Sequence, residues 1–169
     1  MGLGRPHLEE TDLKSFNSLA DLAAAFAGLA VEAEAVERRG LDKAAQIIET
    51  EAKASLGTYQ EGWAELAEST QEERARKGYA PNDPLLRSET LRGAITHEVV
   101  DAKRALVGVP GDTGEVEPEG ALVADVAADM EFGSMHAPPR PFMGPAATRK
   151  GQEAADAVAG ELFIHIRGK

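Results

Sequence analysis

The chain has 169 residues, which is enough for one domain with a hydrophobic core and too few for two of ordinary size. It contains no cysteine, which excludes disulfides, thiol catalysis and cysteine-bound metal centres. A net charge of −11 argues against a protein that grips nucleic acid through clustered basic side chains. Because no apolar run reaches the roughly 18 residues of a membrane span and the N-terminus lacks the apolar core of a signal peptide, we expect a soluble protein.

The first third of the chain predicts helical structure. Residues 1–17 lack a regular apolar pattern and are expected to form a loose N-terminal arm. Apolar residues then recur at steps of three and four, from Leu19 to Val36 and, after Gly40, onward to Leu56. This pattern predicts one bent helix or two joined helices. Its alanine-rich flanks also fit a coiled-coil seam, although a helix lying across a sheet is the preferred interpretation.

The ends of this helical region and the segment after it carry capping and turn signals. Ser18 is the expected N-cap and Gly57 the expected C-cap. Residues 58–84 change in character and end in prolines and polar turn residues, so we interpret them as an insertion that Trp63 anchors. Residues 84–92 predict a short helix.

The second half of the chain predicts strands followed by a helix. Residues 95–100 and 105–109 are rich in β-branched side chains, and residues 121–132 alternate well enough to predict a third strand. Residues 111–120 predict a polar, acidic loop. Apolar residues at four-residue steps predict a C-terminal helix over residues 146–164.

This order of elements predicts the fold class. We expect a single α+β domain over residues 18–169, with residues 58–84 inserted into it. The long N-terminal helix and the C-terminal helix are expected to pack on one face of a small antiparallel sheet.

No pattern of catalytic chemistry stands out. The histidines at positions 7, 97, 136 and 165 are not spaced as metal ligands. Ser134, His136 and Glu131 lie close together in sequence, but no nucleophile elbow surrounds the serine, and neighbours in a loop do not define a geometry. We therefore predict no catalytic residue, no metal site and no cofactor.

A resemblance to a known family rests on two segments. Residues 131–134 read EFGS and residues 139–146 read PRPFMGPA. Residues 131–146, the signature segment below, resemble the E-F-G-(T/S) … P-(A/P)-R-P-F-(L/M)-x-P-A pattern of small neck and tail-completion proteins of long-tailed DNA bacteriophages and prophages. Residues 84–95, PLLRSETLRGAI, are similar to that family's L-x-(R/D)-(S/T)-G-x-L-R-x-S-I segment, except that Glu89 stands where glycine is frequent.

The resemblance implies a non-enzymatic virion protein, assembled in the cytoplasm of the bacterial host. It implies a ring of about six subunits, a hexamer, at the head–tail junction. As a tail terminator, tail-completion or head–tail joining protein, it would contact adjacent head-connector and tail-tube proteins. DNA would pass through its channel without sequence-specific binding. A head-completion connector ring on the portal side of the neck is the alternative within this class.

The resemblance and the stiffness of the proline-rich loop together indicate which residues to test. An ordered loop loses little entropy when it docks on a neighbour. The same loop could instead connect two elements and place Phe142 under its own sheet, and both interpretations stay open. The subunit-interface candidates are Phe132, Gly133, Arg140, Pro141, Phe142 and Met143, and the channel-facing candidates are Glu115, Glu117 and Glu119.

Two further hypotheses come from other classes of protein. A small metal-dependent hydrolase would use Asp125, Asp129 and His136, although acidic side chains on an exposed face are more commonly just solvated. A helical interaction module would pair the helix over residues 19–56 with another chain.

Overall fold

The computed structural model describes residues 18–111, 114–118, 120–135 and 137–167, so the predicted arm of residues 1–17 lies outside the described residues. The chain divides into two compact units, Met1–Ala33 and Glu34–Lys169. The elements in chain order are α1 (Leu19–Ser55), α2 (Glu68–Arg76), α3 (Thr90–Ala94), β1 (Thr96–Asp101), β2 (Arg104–Gly108), α4 (Val123–Phe132) and α5 (Met143–Arg167).

The fold class is α+β, as the sequence predicts. The long N-terminal helix α1 and the C-terminal helix α5 pack against each other and against a two-stranded antiparallel sheet. None of the helices within the described ranges is both long enough and apolar enough to cross a membrane.

Helix α1 is one uninterrupted helix of 37 residues, which decides between the one-helix and two-helix predictions. The predicted N-cap is confirmed, because Ser18 Oγ accepts a hydrogen bond from the backbone N–H of Asp21. The chain leaves the helix through Gly57, whose φ of +90° is a conformation that favours glycine.

Helices α1 and α5 approach closely where Gly40 lies against Val158. A Cβ atom built at position 40 would be 3.0 Å from the Cα of Val158, so only glycine fits this crossing without movement of a helix. One end of the contact carries ion pairs from Glu161 to Arg39 and Lys43. At the other end, Arg149 of α5 bonds to side chains of α1.

Strands β1 and β2 form a hairpin in which Thr96 pairs with Gly108 and His97 with Val107. Burial alternates along β1, as expected for a strand with one covered face. The side chain of His97 is on the half-buried face, where its Nδ1 lies 2.5 Å from Glu49 Oε2 and its Nε2 lies 3.3 Å from Asp42 Oδ1. The two strands predicted before residue 110 are thus confirmed.

The predicted third strand is wrong, because residues 123–132 form helix α4. Val123 and Ala127 are its buried side chains, and they are four residues apart on one face of a helix. Alanine favours helix over strand, and the segment packs on α3 instead of adding to the hairpin.

The short helix predicted at residues 84–92 begins later than expected. Leu85 has φ of +60°, which an α-helix does not allow, so the chain turns there and α3 starts at Thr90. Helix α5 runs three residues further at each end than predicted.

The core of the second unit is built from helices α1, α3, α4 and α5 and from segments next to them. Its buried residues are Ala52, Leu56, Trp63, Leu91, Ala94, Ile95, Val123, Ala127, Phe142 and Ala146. Trp63 belongs to the segment of residues 58–84 and confirms the predicted anchor. Arg74, also buried, donates to the carbonyl oxygens of Ala80 and Asp83 at 2.9 and 2.8 Å, and to that of Leu86.

We expect Gly40→Ala to lower the free energy of unfolding by about 1–2 kcal/mol, because the new methyl group pushes on the backbone of α5. Gly151→Ala is the matched control, since no atom lies within 4 Å of a Cβ built there. That substitution should stabilise the helix by about 0.5–1 kcal/mol through helix propensity alone. Urea unfolding of both variants measures the difference, and equal effects would contradict the close approach.

The pair of His97 and Glu49 predicts a pH dependence of stability. The hydrogen bond to Glu49 raises the pKa of His97 above its ordinary 6.5, against the opposing effect of burial, and Asp42 adds to the rise. Protonated His97 therefore stabilises the fold fully below about pH 6.5, and this contribution is lost as the pH rises through the raised pKa. Burial alone would raise the pKa of Glu49, but hydrogen bonds from Lys53 and His97 lower it.

We expect the free energy of unfolding to fall between about pH 6 and pH 8 in the wild type and to change less in His97→Gln. Urea unfolding at several pH values measures the slope. His165→Gln, at the far end of α5, is the control and should keep the wild-type slope. The interpretation is wrong if wild type and His97→Gln have the same pH profile.

Candidate subunit-interaction site

The signature segment connects α4 to α5, and Glu131 fixes the connection. Its carboxylate accepts three backbone hydrogen bonds from the start of α5, from Phe142 at 2.8 Å, Met143 at 2.9 Å and Gly144 at 2.9 Å. The first N–H groups of a helix have no partner within the helix, and the helix dipole favours a negative charge there. Glu131, in the last turn of α4, therefore acts as the cap of α5.

The turn after α4 requires glycine. Gly133 has φ of +81°, and a Cβ atom built on it would lie 3.0 Å from Pro139 Cδ and 3.1 Å from Pro139 N. The loop is closed by backbone hydrogen bonds from Ser134 to the carbonyl of Ala137 at 3.0 Å and from Arg140 to the carbonyl of Met130 at 2.6 Å. The loop is thus held at both ends.

Two of the predicted interface residues point into their own chain. Phe142 is 1% exposed and belongs to the core of its own chain. Arg140 is 6% exposed and donates from a terminal guanidinium nitrogen to the carbonyl of Ala64 at 3.0 Å. Its Nε is buried and has no hydrogen-bond partner among the described residues. We therefore assign the Arg140 and Phe142 side chains to the fold rather than to a contact surface.

The exposed side chains of the segment are different ones. Phe132, at the end of α4, is 81% exposed, and Met135 in the loop is 95% exposed. Gly133, Pro141 and Met143 are half-buried. A large aromatic and a methionine that remain this exposed beside a fixed loop form a small apolar knob, which is the name used below for Phe132 and Met135.

A groove lies between the segment of residues 58–84, α4 and the signature segment. Its volume is 460 Å³, and its walls include the apolar side chains of Leu66, Val126 and Met130. Ala137 and Pro138 border both this groove and the surface that carries the knob. Among the charged residues that line the groove are Arg74, Arg87 and Arg140, together with Glu65 and Glu117.

The predicted channel-facing glutamates lie in the loop before α4. Glu115 is exposed, and its carbonyl accepts the N–H of Val123. The carboxylate of Glu117 accepts a hydrogen bond from Ser88 Oγ at 2.6 Å, so it takes part in contacts within the chain. Glu119 lies outside the described residues.

The residues of the hydrolase hypothesis are not brought together by any described contact. Asp125 and Asp129 are on the exposed face of α4, and His136 lies outside the described residues. Within the ranges that the structure describes, no three His, Asp or Glu side chains are grouped closely enough to hold a metal ion.

The sequence analysis singled out this segment but predicted neither the capping by Glu131 nor the exposure of Met135. A capping box is recognised because its two residues are three positions apart. Glu131 caps a helix that starts 12 residues later, and no local spacing predicts such a contact. The only sign of the exposure of Met135 was its position in a proline-rich loop, where an apolar residue has no apolar neighbours at helix or strand spacing.

Comparison of the chain with protein-family models, with curated proteins and with solved structures finds no match.

We expect Glu131→Ala to lower the free energy of unfolding by about 1–3 kcal/mol, because three N–H groups at the start of α5 lose their acceptor. Glu131→Gln should cost less, since an amide oxygen still accepts. Asp129→Ala is the matched control, because that acidic residue is on the exposed face of the same helix. Urea unfolding separates the three variants, and a Glu131→Ala effect no larger than the control would contradict the capping role.

Proposed function

We propose that this chain is a non-enzymatic structural subunit of the neck of a long-tailed bacteriophage. It forms a ring at the head–tail junction, as a tail-completion, tail-terminator or head–tail joining protein, and leaves a channel through which DNA passes. The proposal starts from the resemblance of the signature segment to that family. Under this proposal the assembled protein is part of the virion. The rings next to it are formed by head-connector and tail-tube proteins.

The observation that carries the proposal is the contrast between two phenylalanines of one segment. Phe142 is buried in the core, whereas Phe132 is exposed beside the still more exposed Met135. Folding of the single chain accounts for Glu131, Gly133, Arg140 and Phe142, and leaves the knob without a role. Exposed apolar groups on a rigid support are typical of protein–protein contacts.

The groove supplies a site for the knob of a second copy. Contact between a knob and a groove that are different surfaces is heterologous, and identical copies repeat it until the rotation closes a ring. The fixed loop also limits the entropy lost on docking.

The acidic composition supports a channel that DNA traverses without being held. The chain has 29 acidic and 18 basic residues, so its field repels phosphate on average. Tight, sequence-independent binding would require clusters of lysine and arginine to release counterions.

We expect the wild-type protein to form rings and the double variant Phe132→Ser, Met135→Ser to remain folded but to form no rings. Both side chains are exposed, so their loss should change the free energy of unfolding by less than about 0.5 kcal/mol. Native mass spectrometry gives the number of copies, and negative-stain electron microscopy gives the ring symmetry.

Phe163→Ser is the matched control, because Phe163 is an exposed phenylalanine of α5 outside the signature segment. Rings should persist in this variant. Intact rings in the Phe132, Met135 double variant would reject the knob as the contact, and a wild-type protein that stays monomeric at all concentrations would reject the ring.

A further inference from the structure

The first part of α1 carries an apolar stripe at the spacing of a coiled coil. Leu19, Leu22, Phe26, Leu29 and Ala33 follow one another at steps of three, four, three and four residues, and are called the heptad stripe below. This spacing keeps one seam of a helix against a partner helix over several turns.

Three of the apolar side chains of the heptad stripe are exposed. Leu19 is 86% exposed and Phe26 is 62% exposed, and Leu29 is exposed as well. No described side chain of residues 18–33 is buried. The next position of the same spacing, Val36, is buried in the second unit, so the stripe is available only up to Ala33.

The composition of the stripe favours a second copy of the same stretch as its partner. Residues 22–31 form the longest run of the chain without a charged residue, so the repulsion expected between copies with a charge of −11 is weakest there. Three of the flanking positions next to the seam hold Ala23, Ala25 and Ala30, whose small side chains allow close approach of two helices, and the last one holds Glu32.

The other long helix of the chain does not match this spacing. Apolar residues of α5 recur at steps of four, at Ala154, Val158, Leu162 and Ile166. A row with this spacing winds around the helix and does not stay on the same side as a heptad seam. The matching seam in an assembly of identical copies is therefore the stripe itself.

We propose that the heptad stripe pairs in parallel with the heptad stripe of a neighbouring copy, as a second subunit contact separate from the knob and the groove. The pairing itself rests on spacing, exposure and charge. A parallel pair is the arrangement that places equal positions of the two stripes opposite each other, which the cross-linking test below measures.

Cysteine cross-linking tests the pairing directly, because the wild-type chain contains no cysteine. The test variant is Leu29→Cys, on the stripe, and the matched control is Val31→Cys, which is 69% exposed on the same helix but off the stripe. With a short thiol-specific bifunctional reagent and the full-length protein, we expect at least about tenfold more cross-linked dimer from position 29 than from position 31. Equal cross-linking from both positions, or none from position 29, overturns the proposal.

A second experiment tests the pairing of the heptad stripes without introducing cysteine. Phe26→Gln with Leu29→Gln should raise the concentration at which half of the protein self-associates by more than about tenfold, and Val31→Gln should leave it unchanged. Sedimentation velocity measures this concentration, and circular dichroism checks that both variants remain helical. An unchanged concentration in the double variant overturns the proposal.

Micrographs of the same samples separate this inference from the proposed function. Rings without cross-linking at position 29 reject the stripe pairing and leave the ring in place. Cross-linking at position 29 without rings supports the stripe pairing and rejects the ring.

Discussion

The carboxylate of Glu131 binds the start of α5 to the end of α4, and the arrangement of the second unit follows from that contact. Three N–H groups of α5 point to one side chain, so the direction in which the helix leaves the loop is fixed. That direction carries Phe142 into the core and lays α5 along α1, where Gly40 permits the close crossing. Loss of this cap would therefore also change the position of the far end of α5.

The same constraint gives the exposed part of the signature segment its rigidity. The loop is closed by its own backbone hydrogen bonds and by the contact of Gly133 with Pro139. Phe132 and Met135 are exposed to solvent beside these contacts. A neighbour that binds them would lose little entropy in the loop.

The features predicted from the sequence are those that local spacing encodes. The periodicity of α1 and α5, the cap at Ser18 and the β-branched hairpin follow from the pattern of neighbouring residues. Residues 123–132 fit both a helix and a strand pattern, and the helix propensity of alanine with packing on α3 decides for the helix. The capping by Glu131 and the burial of Arg140 depend on residues distant in sequence, so no spacing rule could predict them.

The two buried arginines differ from most charged side chains in what they bind. Arg74 and Arg140 donate to carbonyl oxygens of the main chain, at Ala80 and Ala64 among others. An acceptor that every residue type possesses does not restrict which amino acid occupies its position. The segment between α1 and α3 can therefore accumulate substitutions at positions 64 and 80 and still dock in the same way, provided that the two arginines remain.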